Sequence, residues 1–378
     1  MPLHNPKTAF KHLYLHLPFC ESLCPYCDFY SVTDTEGMTR FTRSIVQEID
    51  TAAIRYGPFC DVETMFIGGG TPTFLPPGDL ETILDTIHAN VAFTPGAEIT
   101  TEANPESVSL ETLQIFQAAG VNRLNLGVQS FDDGELEFLG RIHSSARAVE
   151  AVEIARQAGF DNVSVDLMFG MAVQTEKSWQ TSLTQALSLG VEHISAYALT
   201  VEGDTAFAHS GDDHCLDDDT VAQMLTMVRI YFGEKGLKPY ELSNYARPGC
   251  ECRHNLGCWR RKPYLGFGPS AHSSSGNHRW WNVGDLNGYC SNVAETGSAT
   301  ASEEILGDSE VEDELIMLGL RLSEGLSATN LPQARWQRVE ELARGSALRS
   351  LVDVDMSRVR LTEQGVLLAD AVTYRLMA

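Results

Sequence analysis

The chain has 378 residues, 43% of them hydrophobic and 8% aromatic, enough for one large domain with an accessory one. Lys and Arg number 27 and Asp and Glu 51, a net charge of −24. Such a surface repels nucleic-acid phosphates and has no general attraction to anionic membranes, so a nucleic-acid partner is not expected.

Residues 1–19, MPLHNPKTAFKHLYLHLPF, lack the basic start, apolar stretch and small-residue cleavage site of a signal peptide. No run approaches 18 uninterrupted apolar residues, so no membrane-spanning helix is expected. Nine cysteines, an odd number, read as metal ligands or free thiols in a reducing compartment rather than as disulfides. The expected location is the cytoplasm.

Short β-rich runs follow at 13–17, 64–68, 98–103, 123–129, 162–170 and 193–200. Between them lie segments with helical spacing, such as Leu110, Leu113 and Phe116 before Gly120, and Trp179, Leu183 and Leu187 before Gly190. Six strands alternating with helices predict a parallel sheet, either doubly wound or a partial TIM-like barrel. After about residue 240 the rhythm stops. Residues 241–302 read as a bridging segment rich in Gly, Asn, Ser, Tyr, Trp and Cys. The acidic run DDHCLDDD (212–219) reads as a solvated loop or helix start. Residues 303–378 read as small helices with a terminal strand, where Thr362 leads into a last helix, a winged-helix-like module. It holds fourteen acidic and eight basic residues, the wrong sign for binding DNA, so packing or a lid role is expected.

Chemistry concentrates in FCESLCPYCDFYS (19–31), where Cys20, Cys24 and Cys27 are spaced C-x3-C-x2-C. Buried structural thiols are one reading. Zinc is another, with His16 or a distant residue closing a tetrahedral shell. The third is a four-iron cluster on three thiolates, its fourth iron free for an exogenous ligand.

A C-x3-C-x2-C motif directly after the first strand of a β/α chain resembles the radical SAM superfamily, and IGGGTPT (67–73) resembles its glycine loop. The resemblance implies a partial (β/α)6 barrel over 1–240, a [4Fe-4S] cluster on Cys20, Cys24 and Cys27, and S-adenosylmethionine (SAM) at the rim. The SAM contacts it implies are Tyr14, Tyr26, Gly69, Gly70, Thr71, Glu102, Gln129, Arg141, Asp166 and Ala198.

Within the superfamily the chain is similar to the HemW-like haem chaperones and to the oxygen-independent coproporphyrinogen III dehydrogenases. The dehydrogenases carry a further cysteine two residues after the third, and Phe29 stands there. They also carry a longer segment before the cluster. Both differences favour the chaperones, whose H-N-x-x-Y-W haem motif matches HNLGCW: His254, Asn255 and Trp259 agree, and Cys258 replaces the tyrosine. His254 and Cys258 are each able to ligate haem iron. These residues also read as structural, or, with Cys250 and Cys252, as a second metal site, though C-x-C is cramped for zinc. The resemblance implies haem, an acceptor haemoprotein and a reductant protein as partners, and leaves open a homodimer or a peripheral membrane association. Its alternative is oxidative decarboxylation of coproporphyrinogen III.

Overall fold

The computed structural model describes residues 10–378. The first strand, β1 (His12–Leu17), reads HLYLHL. Successive strand residues point to opposite faces. Leu13, Leu15 and Leu17 are wholly buried in the main hydrophobic core, while Tyr14 and His16 face a central cavity. The same alternation recurs on β2 (Phe59–Gly69), β3 (Val91–Ala103), β4 (Arg123–Gln129), β5 (Val163–Phe169) and β6 (His193–Ala198).

These six strands are parallel, and each pairs with the next in the chain. A doubly wound sheet would reverse its order at a switch point. An unreversed order puts every right-handed crossover on one face, so the sheet curls around its other face as a barrel does. The connecting segments hold α1 (Met38–Tyr56), α2 (Pro77–Asn90), α3 (Leu110–Ala118), α4 (Asp133–Phe138), α5 (Ser145–Gln157) and α6 (Glu176–Ser188). Ser109, Ser144 and Thr175 cap α3, α5 and α6 with their hydroxyls. The barrel stays open: the second edge of β1 carries a later strand and not β6.

After β6 come α7 (Ala206–Ser210) and α8 (Asp218–Glu234). The acidic run opens α8, with Asp217 as the cap and Asp218 and Asp219 in the first turn, where the helix dipole favours negative charge. Next follow β7 (Lys238–Pro239), β8 (Asn244–Ala246), α9 (Arg253–Trp259), β9 (Tyr264–Phe267), β10 (His272–Ser275), β11 (His278–Asn282), α10 (Leu286–Thr296) and β12 (Thr300–Ile305). Here the structure adds to the sequence reading. The segment expected to bridge brings five strands into one twelve-stranded sheet, with β8 beside β6 and β9 to β12 extending outward from β1. Strands of three to six residues leave too short a period to read, and their partners lie far away in the chain.

A second core forms around Ile316, Leu320, Leu326, Trp336, Val339, Val372 and Leu376. It joins α11 (Asp308–Arg321), β13 (Leu326–Ser327), α12 (Gln333–Arg344), β14 (Val352–Val354), β15 (Arg358–Leu361), α13 (Glu363–Val366) and α14 (Ala369–Met377). With a three-stranded antiparallel sheet ordered β13-β15-β14, this is a winged-helix-like unit. Arg321 of α11 lies 4.4 Å over the Trp259 ring and pairs with the buried Glu241 at 2.6 Å, and Arg229 of α8 pairs with Glu363 at 2.5 Å. Among the described residues no helix is long and apolar enough to cross a membrane.

Candidate functional site

The loop between β1 and α1 carries Cys20, Cys24 and Cys27, all free and partly buried. Its ends are pinned: the Cys20 N–H donates to Val32 O (3.0 Å) and the Val32 N–H to Pro18 O (2.8 Å). Between them the Cys27 N–H closes a turn on Cys24 O (3.1 Å). Two side chains aim donors at the sulfurs. The Thr71 hydroxyl meets Cys20 Sγ at 3.4 Å, and Arg141 Nη1 meets Cys24 Sγ at 3.3 Å. Burial pushes the Cys20 thiol up and the Cys27 thiol up to about 11. Thiols held protonated in this way become ligands when a metal's own charge displaces the proton.

His16 cannot complete a zinc shell. Its Nε2–H donates to Tyr30 O (2.8 Å), so Nδ1 accepts from the Tyr14 hydroxyl (3.0 Å), and burial holds the ring neutral with a pKa of about 4. Among the described residues no three His, Cys, Asp or Glu side chains converge on a point that a single ion would fill. A cube of four irons asks for something else, one thiolate per iron. Three separated thiols facing donors from Thr71 and Arg141 fit that anionic group.

The glycine loop lies directly against the cysteine loop. Gly70 N–H donates to Leu17 O and Thr71 N–H to Phe19 O, both at 2.8 Å. Gly69 has φ +102°, and a Cβ there would sit 2.4 Å from the His16 ring. Its N–H donates to Glu102 Oε2 at 3.1 Å. Burial, with the Asp166 charge adding to it, pushes the Glu102 carboxyl up to about 7. Burial also raises Asp166, which accepts from Asn125 Nδ2 at 2.6 Å and keeps Oδ1 without a partner.

The remaining residues expected at this end are spread around it. Gln129 ends β4 with φ +68°. Arg141 Nη2 donates to Gly127 O (3.1 Å) and lies 3.5 Å from Glu106, which also meets His143 at 3.0 Å. Tyr26 packs near Phe207, whose N–H donates to Pro25 O (3.0 Å). Ala198 is not brought to the central cavity. It lines a separate cleft with Val221, Leu225 and Leu368.

The central cavity has a volume of about 570 Å³ and is walled by alternate residues of the barrel strands: Tyr14, Phe66, Glu102, Asn125, Asp166 and Tyr197. One end meets the cysteine loop through Asp28, Phe29 and Tyr30, and α9 supplies His254, Asn255, Cys258 and Trp259 to the same wall. A carboxylate from β3 seats α9, since the N–H groups of Arg253 and His254 each donate to Glu98 at 2.9 Å. His254 Nδ1 bonds Thr64 Oγ1 (2.9 Å), which also bonds His12 Nδ1 (2.8 Å). The His254 ring lies 5.4 Å from that of Phe66, and burial brings its pKa down to about 3. A neutral imidazole fixed through Nδ1 suits metal ligation through Nε2. Burial pushes the Cys258 thiol up to about 12, and Trp259 Nε1 is buried without a partner. Cys252 turns away, toward Glu98 Oε1 at 3.6 Å, so the cysteines around His254 form no common metal site among the described residues.

Sequence reasoning passed over Thr64, Phe66, Glu98, Arg123, Asn125 and Tyr197. Their signal was present: each is a polar or aromatic residue at an alternate position of a strand whose other face is apolar.

Residues 14–186 match the model of the radical SAM superfamily. A Mycobacterium tuberculosis protein named heme chaperone HemW is 39% identical over 373 residues, 97% of this chain and 94% of that one. Its Bacillus subtilis counterpart of the same name is 37% identical, covering 96% and 98%. The fold matches coproporphyrinogen III oxidase (HemN) from Escherichia coli with a TM-score of 0.86 at 23% identity, over 98% of this chain and 90% of that one. The chain belongs to the HemW family of radical SAM proteins.

Proposed function

We propose that this protein is a cytoplasmic haem chaperone that carries one [4Fe-4S] cluster and SAM, binds haem in the central cavity and passes it to an acceptor haemoprotein. One observation carries the reading: the glycine-loop residue Gly69, Glu102 and the α9 residues His254, Asn255, Cys258 and Trp259 are walls of a single cavity. Its volume falls in the range of small-molecule pockets, ~300–1,000 Å³. The name heme chaperone, borne by relatives that match nearly the whole chain, supports the same reading.

On this reading Cys20, Cys24 and Cys27 hold the cluster, and Thr71 and Arg141 stabilise the sulfur charge by donating to it. Backbone carbonyls of the loop through Gly69 and Gly70 accept from the SAM amine. Glu102 and Asp166 accept from its hydroxyl and amine donors, while Tyr14, Tyr26 and Gln129 position it. When bound, cluster and SAM together supply one-electron chemistry at the sulfonium, drawing on a reductant protein. His254 offers the haem iron a neutral nitrogen, with Cys258 as the alternative ligand, and Trp259 packs on the macrocycle.

The test uses anaerobically reconstituted full-length protein, checked for iron and sulfide. Added haem gives a Soret band that weakens in His254→Ala; an unchanged spectrum removes His254 from the site. The rival activity is read in the same preparation. Given SAM, a reductant and coproporphyrinogen III, it makes no protoporphyrinogen, and robust turnover defeats the chaperone reading.

A further inference from the structure

Arg123 begins β4 and lines the central cavity, yet only 2% of it is exposed. Its Nε is buried with no hydrogen-bond partner. Of the carboxylates whose charge reaches it, Glu98 is engaged by other donors, and Asp166 uses one oxygen while its Oδ1 has no partner. Glu98 accepts from the N–H groups of Arg253 and His254 and forms its ion pair with Arg253 at 3.9 Å. Asp166 accepts from Asn125 at 2.6 Å. Carboxylate charge thus reaches the guanidinium while its Nε donor is left unused. Nature rarely leaves such a group dry, because a guanidinium removed from water needs hydrogen bonds as well as a counter-charge.

The guanidinium fork matches a carboxylate with two parallel N–H···O bonds. Its neighbourhood says which carboxylate. Glu98 is shared by Arg123 and His254, acting electrostatically on the first and accepting the backbone N–H of the second. Arg123 and His254 line the same cavity, so a single ligand filling it is able to meet both. We propose that Arg123 anchors a carboxylate at the edge of the cavity's ligand, a propionate of haem. The assignment rests on the haem reading above and goes beyond it, because it names the group that orients the macrocycle. None of the cavity-lining residues of α9, His254, Asn255, Cys258 and Trp259, supplies a cation for that task.

The test compares haem with haem dimethyl ester, in which the propionates are capped, on the anaerobic reconstituted full chain. Wild type binds haem roughly 10- to 100-fold more tightly than the ester. Arg123→Gln lowers haem affinity to that of the ester and leaves ester binding unchanged, and Arg123→Lys, which keeps the charge without the fork, falls between. Equal binding of haem and ester by wild type overturns the proposal without any variant. An Arg123→Gln loss that falls on SAM titration alone, or that lowers the melting temperature with the haem-to-ester ratio intact, also overturns it. Wild type that binds neither porphyrin sinks the haem reading itself, a result distinct from equal binding of both.

Discussion

Glu102 shows how one buried side chain sets the working range of a site. With its carboxyl pushed up to about 7, it is protonated in much of the molecule just below neutrality. The protonated form accepts fewer hydrogen bonds and carries no charge, so a ligand offering amine or hydroxyl donors binds better above pH 7 than below. Isothermal titration of SAM into reconstituted protein is expected to lose affinity, by up to about tenfold per unit, between pH 8 and pH 6. Glu102→Gln flattens the profile. A wild-type affinity that ignores pH removes Glu102 from the contact. At this scale the three cysteines and the glycine loop were readable from spacing alone. His16 was not: only the folded chain puts Tyr30 O on one ring nitrogen and the Tyr14 hydroxyl on the other, taking away a fourth ligand that sequence left open.

Among the elements, β1 is the most legible, since HLYLHL alternates without a break and both faces have work to do. The leucine face packs in the core, and Tyr14 and His16 on the other face line the central cavity. The glycine loop at the end of β2 depends on a backbone that other residues resist. Gly69→Ala meets left-handed strain of roughly 1–3 kcal/mol and a collision with the His16 ring at 2.4 Å. A lowered melting temperature and loss of SAM binding are expected together. A variant that melts and binds as wild type would show that loop and ring have room to move apart. By contrast, α9 and the strands flanking it were illegible as elements. Seven residues give no usable helical period, and what fixes α9 is a carboxylate about 155 positions earlier, Glu98, receiving its first N–H groups.

At the scale of the whole molecule, Glu48 of α1 ties distant parts of the barrel together. Its carboxylate accepts from the Gly268 N–H (2.8 Å), the Tyr289 hydroxyl (2.7 Å) and Asn282 Nδ2 (2.7 Å), joining α1 to the β9–β11 extension and α10. Burial outweighs these three donors and pushes it up to about 7. Between the ordinary carboxyl range and pH 7 the folded chain therefore holds a proton that the unfolded chain has released. Stability contributed by this site falls as pH rises through that window, by on the order of 3 kcal/mol. Urea unfolding from pH 5 to pH 8 is expected to show the slope in wild type and lose it in Glu48→Gln. Parallel curves for the two proteins would assign the slope to other carboxyls.

Local pattern by itself determined what needs only neighbours in the chain: alternation of apolar and polar residues in each strand, caps and left-handed glycines at helix ends, and three thiols within eight positions. Those features follow from backbone geometry and short-range sterics, which act over a few residues. Tertiary structure alone decided which polar strand positions converge on one cavity, that residues 241–302 extend the sheet, and that Arg123 Nε is buried without a partner. Each depends on strand order and on contacts between positions more than a hundred residues apart, which no local periodicity records.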